Sequence, residues 1–229
     1  KMLGSKVLII SEGGIGRSID EIMLNKALFD LRGVEVLGVI INKVLPEKYE
    51  KIKAVLSAGL KNKGLRLLGL VPLDPILRDP TMEHLMNRLQ LRILCGKTNL
   101  KRRVQNTIVA AMEPENMVEH IKEGTLILTS GDRVDNIMVA VSSHLIMQGK
   151  RNQVAGIILT GGLVPDEKIL TLLRRSRIPV LLAQEDTYQM AGKIDNMICK
   201  IEKSDKQKIL EAVQVVKQYV DVETMLANL

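Results

Sequence analysis

Aromatic residues are scarce in the 229-residue chain, which has no Trp, one Phe and three Tyr. The core must therefore be aliphatic, built from Leu, Ile, Val and 11 Met. Proteins that bind single-stranded nucleic acid usually stack bases on aromatic side chains. The net charge of +7, with the clusters KRR at 101–103 and RRSR at 174–177, therefore favours solvated basic faces over a nucleic-acid partner.

Long apolar runs are also lacking, and no secretory signal pattern opens the sequence, so no membrane partner is expected. Cys95 and Cys199 show neither metal-ligand spacing nor a dense disulfide pattern, which indicates a reducing, cytoplasmic location. His84, His120 and His144 are isolated from other ligand-type residues, so no metal site is predicted. No G-x-S-x-G nucleophile motif is found.

Short apolar runs alternate with helical patterns, which predicts an α/β fold. KVLII (6–10) and VEVLGVII (34–41) are rich in β-branched residues, as is typical of strands buried on both faces. A helix is predicted at Ser18–Leu31, and a second helix at 46–62 leads to a third strand at 66–72. This β-α-β-α-β order predicts a parallel sheet with right-handed crossovers.

A proline-rich stretch, PLDPILRDPT at 72–81, predicts a connection between domains, because each proline removes an amide donor and disfavours helix before it. A second alternating set follows, and a last helix is predicted from Ser204 to about Tyr219. The predicted strands of this set are LRILCG, VQNTIVAAM, TLILTSG, VAGIILTGG and IPVLLAQ, and the strand-like run NMICKI (196–201) closes it. We expect a first domain at 1–76, a linker with a connecting helix at 77–96 and a second domain at 97–229.

Turns after the strands of the second set carry candidate binding residues, because open α/β sheets bind ligands at the carboxyl ends of their strands. GDR (131–133), TGG (160–162) and QEDTY (184–188) all follow strands and are predicted to share one edge of the sheet. A helix N-cap and ordinary glycine turns are the alternative interpretation. The predicted ligand-binding residues are Asp132, Arg133, Thr160, Gly161, Gly162, Asp186 and Thr187.

The opening stretch, VLIISEGGIGRSID, has the outline of a phosphate-binding loop but not its sequence. A P-loop reads G-x-x-x-x-G-K-[ST], whereas here Arg17 follows Gly16. Gly13, Gly14 and Gly16 allow backbone amides at the helix start to approach an anion, and a tight turn is the alternative. Asn42, after the second strand, is a candidate for pairing with an adenine edge, although turns also favour Asn.

The second half is similar to the DRTGG domain family. GDR after a strand, LTGG after a later strand and then IPVLLAQEDTY carry the resemblance, and RVQNTIVAAMEPENMVEHI resembles the family's entry segment. Upstream, GGIGRSIDEIMLNKALFDLRGVEVLGVIINKVLP resembles the later half of a dethiobiotin-synthetase-like P-loop domain. The resemblance implies a partial P-loop-NTPase-like domain followed by a DRTGG domain. This tandem occurs in the amino-terminal regulatory region of certain phosphate acetyltransferases and in stand-alone relatives.

The resemblance also implies nucleotide-binding residues in the first half. Asn42 matches the Asn that lies against adenine in dethiobiotin-synthetase-like domains, and Pro72 matches the Pro that borders the same base. The glycine loop 13–16 then lies near the phosphates or the second substrate. The P-loop lysine and the first acidic magnesium ligand belong to a segment before the matched part, so ATP and magnesium are implied only for a full-length protein. The Lys-Met opening, followed almost at once by a strand, favours a fragment.

Three functions stay open. The resemblance implies a regulatory module that senses a nucleotide or anionic metabolite and acts on an acyltransferase catalytic domain or protein. An unpaired strand in the partial first sheet and the edge with the GDR and TGG turns also favour a homodimer, which is compatible with sensing. The second is a module that only dimerises or binds partners. The third is an ATP-dependent ligase of the cobyrinic-acid-synthase type, seen without its phosphate-binding half. No catalytic residue is assigned, and the lack of a P-loop lysine and of an acetyltransferase catalytic domain in this sequence argues against an enzyme.

Overall fold

The computed structural model describes residues 4–13, 17–146, 154–197, 200–203 and 205–228. The first part of the chain alternates strands and helices, as predicted. In chain order its elements are β1 (Val7–Glu12), α1 (Arg17–Leu31), β2 (Val36–Val44), α2 (Tyr49–Asn62), β3 (Leu67–Pro72) and α3 (Pro75–Arg78). One turn of 3-10 helix, Pro46–Lys48, precedes α2. The short helix α3 lies in the proline-rich stretch that was predicted to be a linker, with Pro75 as its first residue, where a missing amide proton costs nothing.

The rest of the chain continues the alternation. Its elements are α4 (Met82–Arg88), β4 (Arg92–Cys95), β5 (Asn106–Val109), α5 (Pro114–Val118), β6 (Thr125–Ser130), α6 (Val134–Ile146), β7 (Gly156–Thr160), α7 (Glu167–Ser176), β8 (Val180–Leu182), α8 (Thr187–Asp195), α9 (Lys206–Tyr219) and α10 (Val222–Ala227). Helix α10 was not predicted, and β5 is shorter than the predicted VQNTIVAAM strand. Ser204, where the last helix was predicted to begin, lies outside the described residues, as do positions 198 and 199. No helix in the described ranges is long and apolar enough to cross a membrane.

Contacts divide the chain into two compact units, and the first contains residues 1–78 together with 201–229. Its sheet has the order β1-β2-β3 with every pair parallel, which confirms the predicted β-α-β-α-β arrangement. Helices α1 and α2 cover one face of this sheet through buried side chains such as Ile22 and Leu56, which pack with Ile41 of β2.

The other face of the first sheet is covered by the carboxyl-terminal helices. Val215 of α9 packs against Ile40, Leu68 and Val71, and the amide of Asp221 donates to the carbonyl of Leu68 (N–O 2.7 Å). The sequence-based division assigned 201–229 to the second domain, whereas these helices lie in the first unit. The physical reason is that a parallel sheet with apolar side chains on both faces needs a layer of helices on each face.

The second unit, residues 79–200, is built around a five-stranded sheet of order β4-β8-β7-β6-β5. The strands β5 to β8 are parallel to their neighbours, and β4 is an antiparallel edge strand. Buried residues of α5, α6 and α7 pack on one face, and those of α4 and α8 pack on the other. The predicted α/β class is therefore confirmed for both halves, and the carboxyl ends of β5 to β8 share one edge.

Docking of α9 on the first sheet is testable with two adjacent valines. Val215 is 7% exposed and Val216 is 45% exposed. Val215→Ala removes two buried methyl groups and is expected to lower the free energy of unfolding by roughly 2 kcal/mol. Val216→Ala is the matched control and should change it by less than about 0.5 kcal/mol. Urea denaturation measures both, and equal effects of the two substitutions would show that α9 does not pack as described.

Candidate functional site

The turns after β6 and β7 meet at the carboxyl edge of the second sheet. The two strands are parallel neighbours, with Ser130 opposite Thr160 at their ends, so the GDR and TGG turns project from the same edge. The amide of Gly131 donates to the carbonyl of Thr160 (N–O 3.4 Å). A Cβ atom on Gly131 would lie 1.8 Å from the carbonyl oxygen of Leu163, so only glycine permits this approach.

The TGG turn is also joined to the loop that follows β8. Gly161 and Gly162 have φ angles of +75° and +67°, in the left-handed region that glycine adopts without strain. Their amides donate to the carbonyls of Glu185 (N–O 2.7 Å) and Ala183 (N–O 2.8 Å), respectively. Both amides therefore donate within the protein, and in this arrangement neither can donate a hydrogen bond to a ligand at this edge.

Thr160 and Asp186 hold the beginning of α8. Thr160 is 1% exposed, and its hydroxyl lies 3.3 Å from the carbonyl oxygen of Thr129 and 2.7 Å from the hydroxyl of Thr187. Asp186 is the N-cap of α8, where its carboxylate accepts from the amide of Gln189 (N–O 2.8 Å). These two predicted site residues therefore position Thr187 and the first turn of α8.

Arg133 forms a bidentate ion pair with Asp135 beside these turns. Its Nε donates to Oδ1 (3.0 Å) and its Nη2 donates to Oδ2 (2.8 Å). The hydrogen bond raises the pKa of Arg133 and lowers the pKa of Asp135. Both side chains are more than a third exposed, so the pair contributes little stability, and a ligand can exchange for it. Asp132 is exposed, and its carbonyl accepts from the amide of Val134 (N–O 2.9 Å).

A cavity of about 360 Å³ opens at this edge, between the ends of β5 and β6 and the start of α8. Of the residues predicted to bind a ligand, Arg133 and Thr187 line it. The remaining lining residues are Val109, Ala110, Ala111, Thr129, Ser130, Tyr188 and Ala191. Tyr188 is 89% exposed, which is unusual for a side chain of its size. It ends the QEDTY motif already quoted, so its place in the sequence could have identified it.

Thr129 brings an unsatisfied polar atom to the cavity wall. The residue is 1% exposed, and its hydroxyl has no hydrogen-bond partner among the described residues. The same holds for the side-chain oxygen of buried Asn136, whose Nδ2 donates to the carbonyl of Ala110 (2.8 Å). A buried hydroxyl without a hydrogen-bond partner lowers the stability of the fold by about 1–3 kcal/mol. A ligand or a water molecule that enters the cavity can supply the missing hydrogen bond.

Acidic residues outnumber basic ones at this edge. The negative charges of Glu113 and Asp132 both help to raise the pKa of Arg133. Glu185 pairs with Lys193, and this hydrogen bond lowers the pKa of Glu185. Asp135 and Asp186 add two more carboxylates. The edge therefore suits a ligand with at most one strongly anionic group, which Arg133 can contact.

Three of the nucleotide-binding residues expected in the first half come together at the carboxyl edge of the first sheet. The amide of Gly13 donates to the carbonyl of Asn42 (N–O 2.6 Å), and Pro72 pairs with Val44 in the sheet register. A Cβ atom on Gly13 would lie 2.9 Å from the Cα of Val44. Gly13 thus packs against β2 and offers no cradle to a phosphate, so we derive no ATP or magnesium chemistry from it. Gly14 and Gly16 lie outside the described residues.

The amide side chain of Asn42 is engaged locally. Its Oδ1 accepts from the amide of Lys43 (N–O 2.9 Å), and Lys43 has a left-handed φ of 58°. The ammonium of Lys43 pairs with Glu12, and this hydrogen bond lowers the pKa of the Glu12 carboxyl. A cavity of about 440 Å³ in this unit is lined by parts of α2, β3 and the segment 218–221, and none of the expected nucleotide-binding residues lines it.

His84, His144 and Cys95 lie in the packed second unit, whereas His120 is exposed in a turn. His84 and Thr81 form a reciprocal cap at the start of α4. His144 is 1% exposed, and burial lowers its pKa to about 4. Burial likewise raises the pKa of Cys95 to about 11, which keeps the thiol protonated. Within the described ranges no group of three or more His, Cys, Asp or Glu residues could hold a metal ion. Cys199 lies outside those ranges.

A parallel sheet with turns joined at the carboxyl ends of neighbouring strands defines the second unit as an open α/β domain. Residues 84–197 match the family model of the DRTGG domain, and residues 1–81 match that of an AAA domain. The segment 84–197 therefore belongs to the DRTGG domain family, and the residues on which the resemblance rested, 132–133 and 160–162, lie within it. The match at 1–81 agrees with the P-loop-NTPase-like region that the resemblance implied.

Proteins named phosphate acetyltransferase match almost the whole chain. The relative from Nitratidesulfovibrio vulgaris is 27% identical over 96% of this chain, and the one from Synechocystis sp. is 27% identical over 99%. A third relative, from Pseudomonas putida, is 30% identical over 83% of the chain. The chain spans about a third of the length of these relatives, with covered shares of 32%, 33% and 28%. It is thus related to one part of a phosphate acetyltransferase.

A solved structure with a similar domain was also found. It contains the CBS and DRTGG domains of the regulatory region of Clostridium perfringens pyrophosphatase, complexed with the activator diadenosine tetraphosphate. Its TM-score is 0.41 at 16% sequence identity, and the match covers 79% of this chain and 88% of that chain.

The contact between the two turns is testable with a pair of glycine substitutions. Gly131→Ala places a methyl group 1.8 Å from the Leu163 carbonyl oxygen, and we expect a loss of unfolding free energy of about 3 kcal/mol or more. Gly192 lies within α8, where an added Cβ atom would meet no heavy atom within 4 Å, so Gly192→Ala should stabilise the protein by about 0.5–1 kcal/mol. Chemical denaturation compares the two. A Gly131→Ala protein as stable as the unsubstituted chain would contradict the described approach.

Proposed function

We propose that this chain is a cytoplasmic regulatory module that senses a nucleotide-like metabolite at the carboxyl edge of its DRTGG domain. The single observation that carries the proposal is the cavity of about 360 Å³ in which Arg133, Tyr188 and the buried hydroxyl of Thr129 come together. Its relationship to one part of phosphate acetyltransferases supports control of an acyltransferase domain or protein as the output.

The cavity wall supports a planar ligand group. Ala110, Ala111 and Ala191 are small side chains, which leave room beside the ring of Tyr188. An aromatic side chain that is 89% exposed has lost little water contact in the free protein, and a purine or similar ring stacked on it would cover that surface. Stacking of a base on an aromatic side chain contributes about 1–3 kcal/mol.

A single anionic group on the ligand would replace the carboxylate of Asp135 as the hydrogen-bond partner of Arg133. The guanidinium presents the planar donor pair that suits a phosphate or carboxylate, and its present partner is a surface carboxylate held weakly. The neighbouring acidic residues disfavour a ligand with several charges at this edge. A nucleoside monophosphate, or a metabolite with one phosphoryl or acyl phosphate group, therefore fits this charge pattern better than a triphosphate.

The joined turns supply a route from the ligand to the rest of the domain. Thr187 lines the cavity and is hydrogen-bonded to Thr160 at the end of β7 (O–O 2.7 Å). The TGG turn is bonded in turn to the loop 183–185. A ligand that displaces α8 or Arg133 would thereby act on three strand ends at once, which suits a module that reports occupancy to a partner.

Binding is tested by thermal shift and calorimetry with adenine nucleotides, acyl phosphates and related metabolites. We expect at least one compound to raise the midpoint of unfolding, and Tyr188→Ala and Arg133→Gln each to weaken its binding roughly tenfold, because each removes a contact of about 1–3 kcal/mol.

Gln189→Ala is the matched control, since Gln189 is an exposed neighbour of Tyr188 that does not line the cavity. It should bind the same compound as tightly as the unsubstituted protein. A panel without any shift, or equal loss of binding in the control, would reject this site as the sensor.

A further inference from the structure

Two basic segments that are far apart in the sequence meet at the opposite edge of the same sheet. One is the turn 96–99 after β4, and the other is the end of α7 at 174–177. They enclose a cavity of about 620 Å³ lined by Gly96, Lys97, Thr98, Asn99, Arg174 and Arg177. Because β4 is antiparallel to β8, with Cys95 opposite Val180, this cavity lies at the amino end of β8, away from the DRTGG turns.

The two segments are held together by specific contacts. The side-chain Nδ2 of Asn99 donates to the carbonyl of Arg177 (2.8 Å). Gly96, with a left-handed φ of +76°, packs so closely that a Cβ atom there would lie 2.2 Å from the carbonyl oxygen of Ile178. The cavity is therefore formed by fixed backbone, although the cationic side chains on its wall extend into solvent.

The charge of this cavity is opposite to that of the carboxyl edge. Lys97, Arg174 and Arg177 supply three cations, and Glu167 pairs with Arg174. Lys97 and Arg177 have no ion-pair partner in the part of the chain that the structure describes. Thr98 and Asn99 add neutral hydrogen-bonding groups to the wall. This excess of cations over carboxylates favours a ligand with more than one negative charge.

Arg177 is held in a backbone conformation that is costly for its residue type. Its φ of 57° lies in the left-handed region, where a helix end usually has Gly or Asn. An arginine there costs roughly 1–2 kcal/mol. Residues kept in such conformations are concentrated at binding and catalytic sites. A glycine at this position would avoid the cost but would bring no guanidinium to the cavity wall, which Arg177 lines.

We propose that this basic cavity binds an oligophosphate group, such as a diphosphate or triphosphate of a small molecule. Two cations without ion pairs and a third with an exchangeable partner match the several charges of consecutive phosphates. The cavity has no aromatic residue on its wall, so it recognises the phosphates and not a base. This site is separate from the proposed sensor, where carboxylates predominate, and it gives the DRTGG domain a second ligand of different chemistry.

Isothermal calorimetry with inorganic tripolyphosphate at low ionic strength tests the site on the whole chain. We expect binding that Lys97→Gln and Arg177→Gln each weaken about tenfold, since each removes a charge-assisted contact. Arg175→Gln is the matched control, because Arg175 is an exposed cation on the same helix that does not line the cavity. It should change the affinity by less than about twofold. Unfolding midpoints verify that all three proteins are folded.

Four outcomes would overturn the proposal. The first is no binding of tripolyphosphate at low ionic strength. The second is an equal loss of affinity in the Arg175→Gln control, which would indicate general attraction to a basic surface. The third is loss of binding in Arg133→Gln but not in Lys97→Gln, which would assign the anion to the carboxyl edge. A single-stranded oligonucleotide that competes more strongly than tripolyphosphate at equal phosphate concentration would likewise replace the small-molecule ligand with a nucleic-acid one.

Discussion

The carbonyl oxygen of Leu163 occupies the space where a side chain on residue 131 would begin, and the carboxyl edge of the second sheet depends on this contact. It brings the turns after β6 and β7 together, while Gly161 and Gly162 bond the second turn to the loop after β8. Gly131, Gly161 and Gly162 thus act mainly through the backbone. They fix the positions of Arg133 and Thr187, which line the cavity beside them.

The two edges of this sheet differ in charge and therefore in the ligands that they suit. At the carboxyl edge, Arg133 lies among carboxylates, and the cavity has an exposed tyrosine and three alanines on its wall. At the amino edge, Lys97, Arg174 and Arg177 face a larger cavity without aromatic residues. With the two proposed sites, the domain would respond to a planar ligand at one end of the sheet and to a polyanion at the other.

The strand pattern and the meeting of the GDR and TGG turns were predictable, because continuous β-branched runs indicate buried parallel strands whose ends share an edge. The hydrogen bonds of the two glycine amides of the TGG turn were not predictable, because their acceptors, Ala183 and Glu185, lie more than twenty residues further along the chain. Helix α9 packs on the first sheet through the apolar side chains of Ile40, Leu68 and Val71. The sequence pattern shows that these side chains are apolar, but it does not show which helix covers them. The left-handed backbone conformation of Arg177 was likewise not predictable, because glycine or asparagine is the usual residue there.

Hydrogen exchange of the Gly161 and Gly162 amides is the most direct measurement of the locked turn. Gly161 is exposed, yet its amide and that of Gly162 donate to backbone carbonyls at 2.7 Å and 2.8 Å. The described structure predicts that both amides exchange slowly, at rates set by opening of the domain. Exchange at the rate of an unstructured loop would contradict it, because the turn would then offer free amides and the cavity beside it would lack a fixed wall.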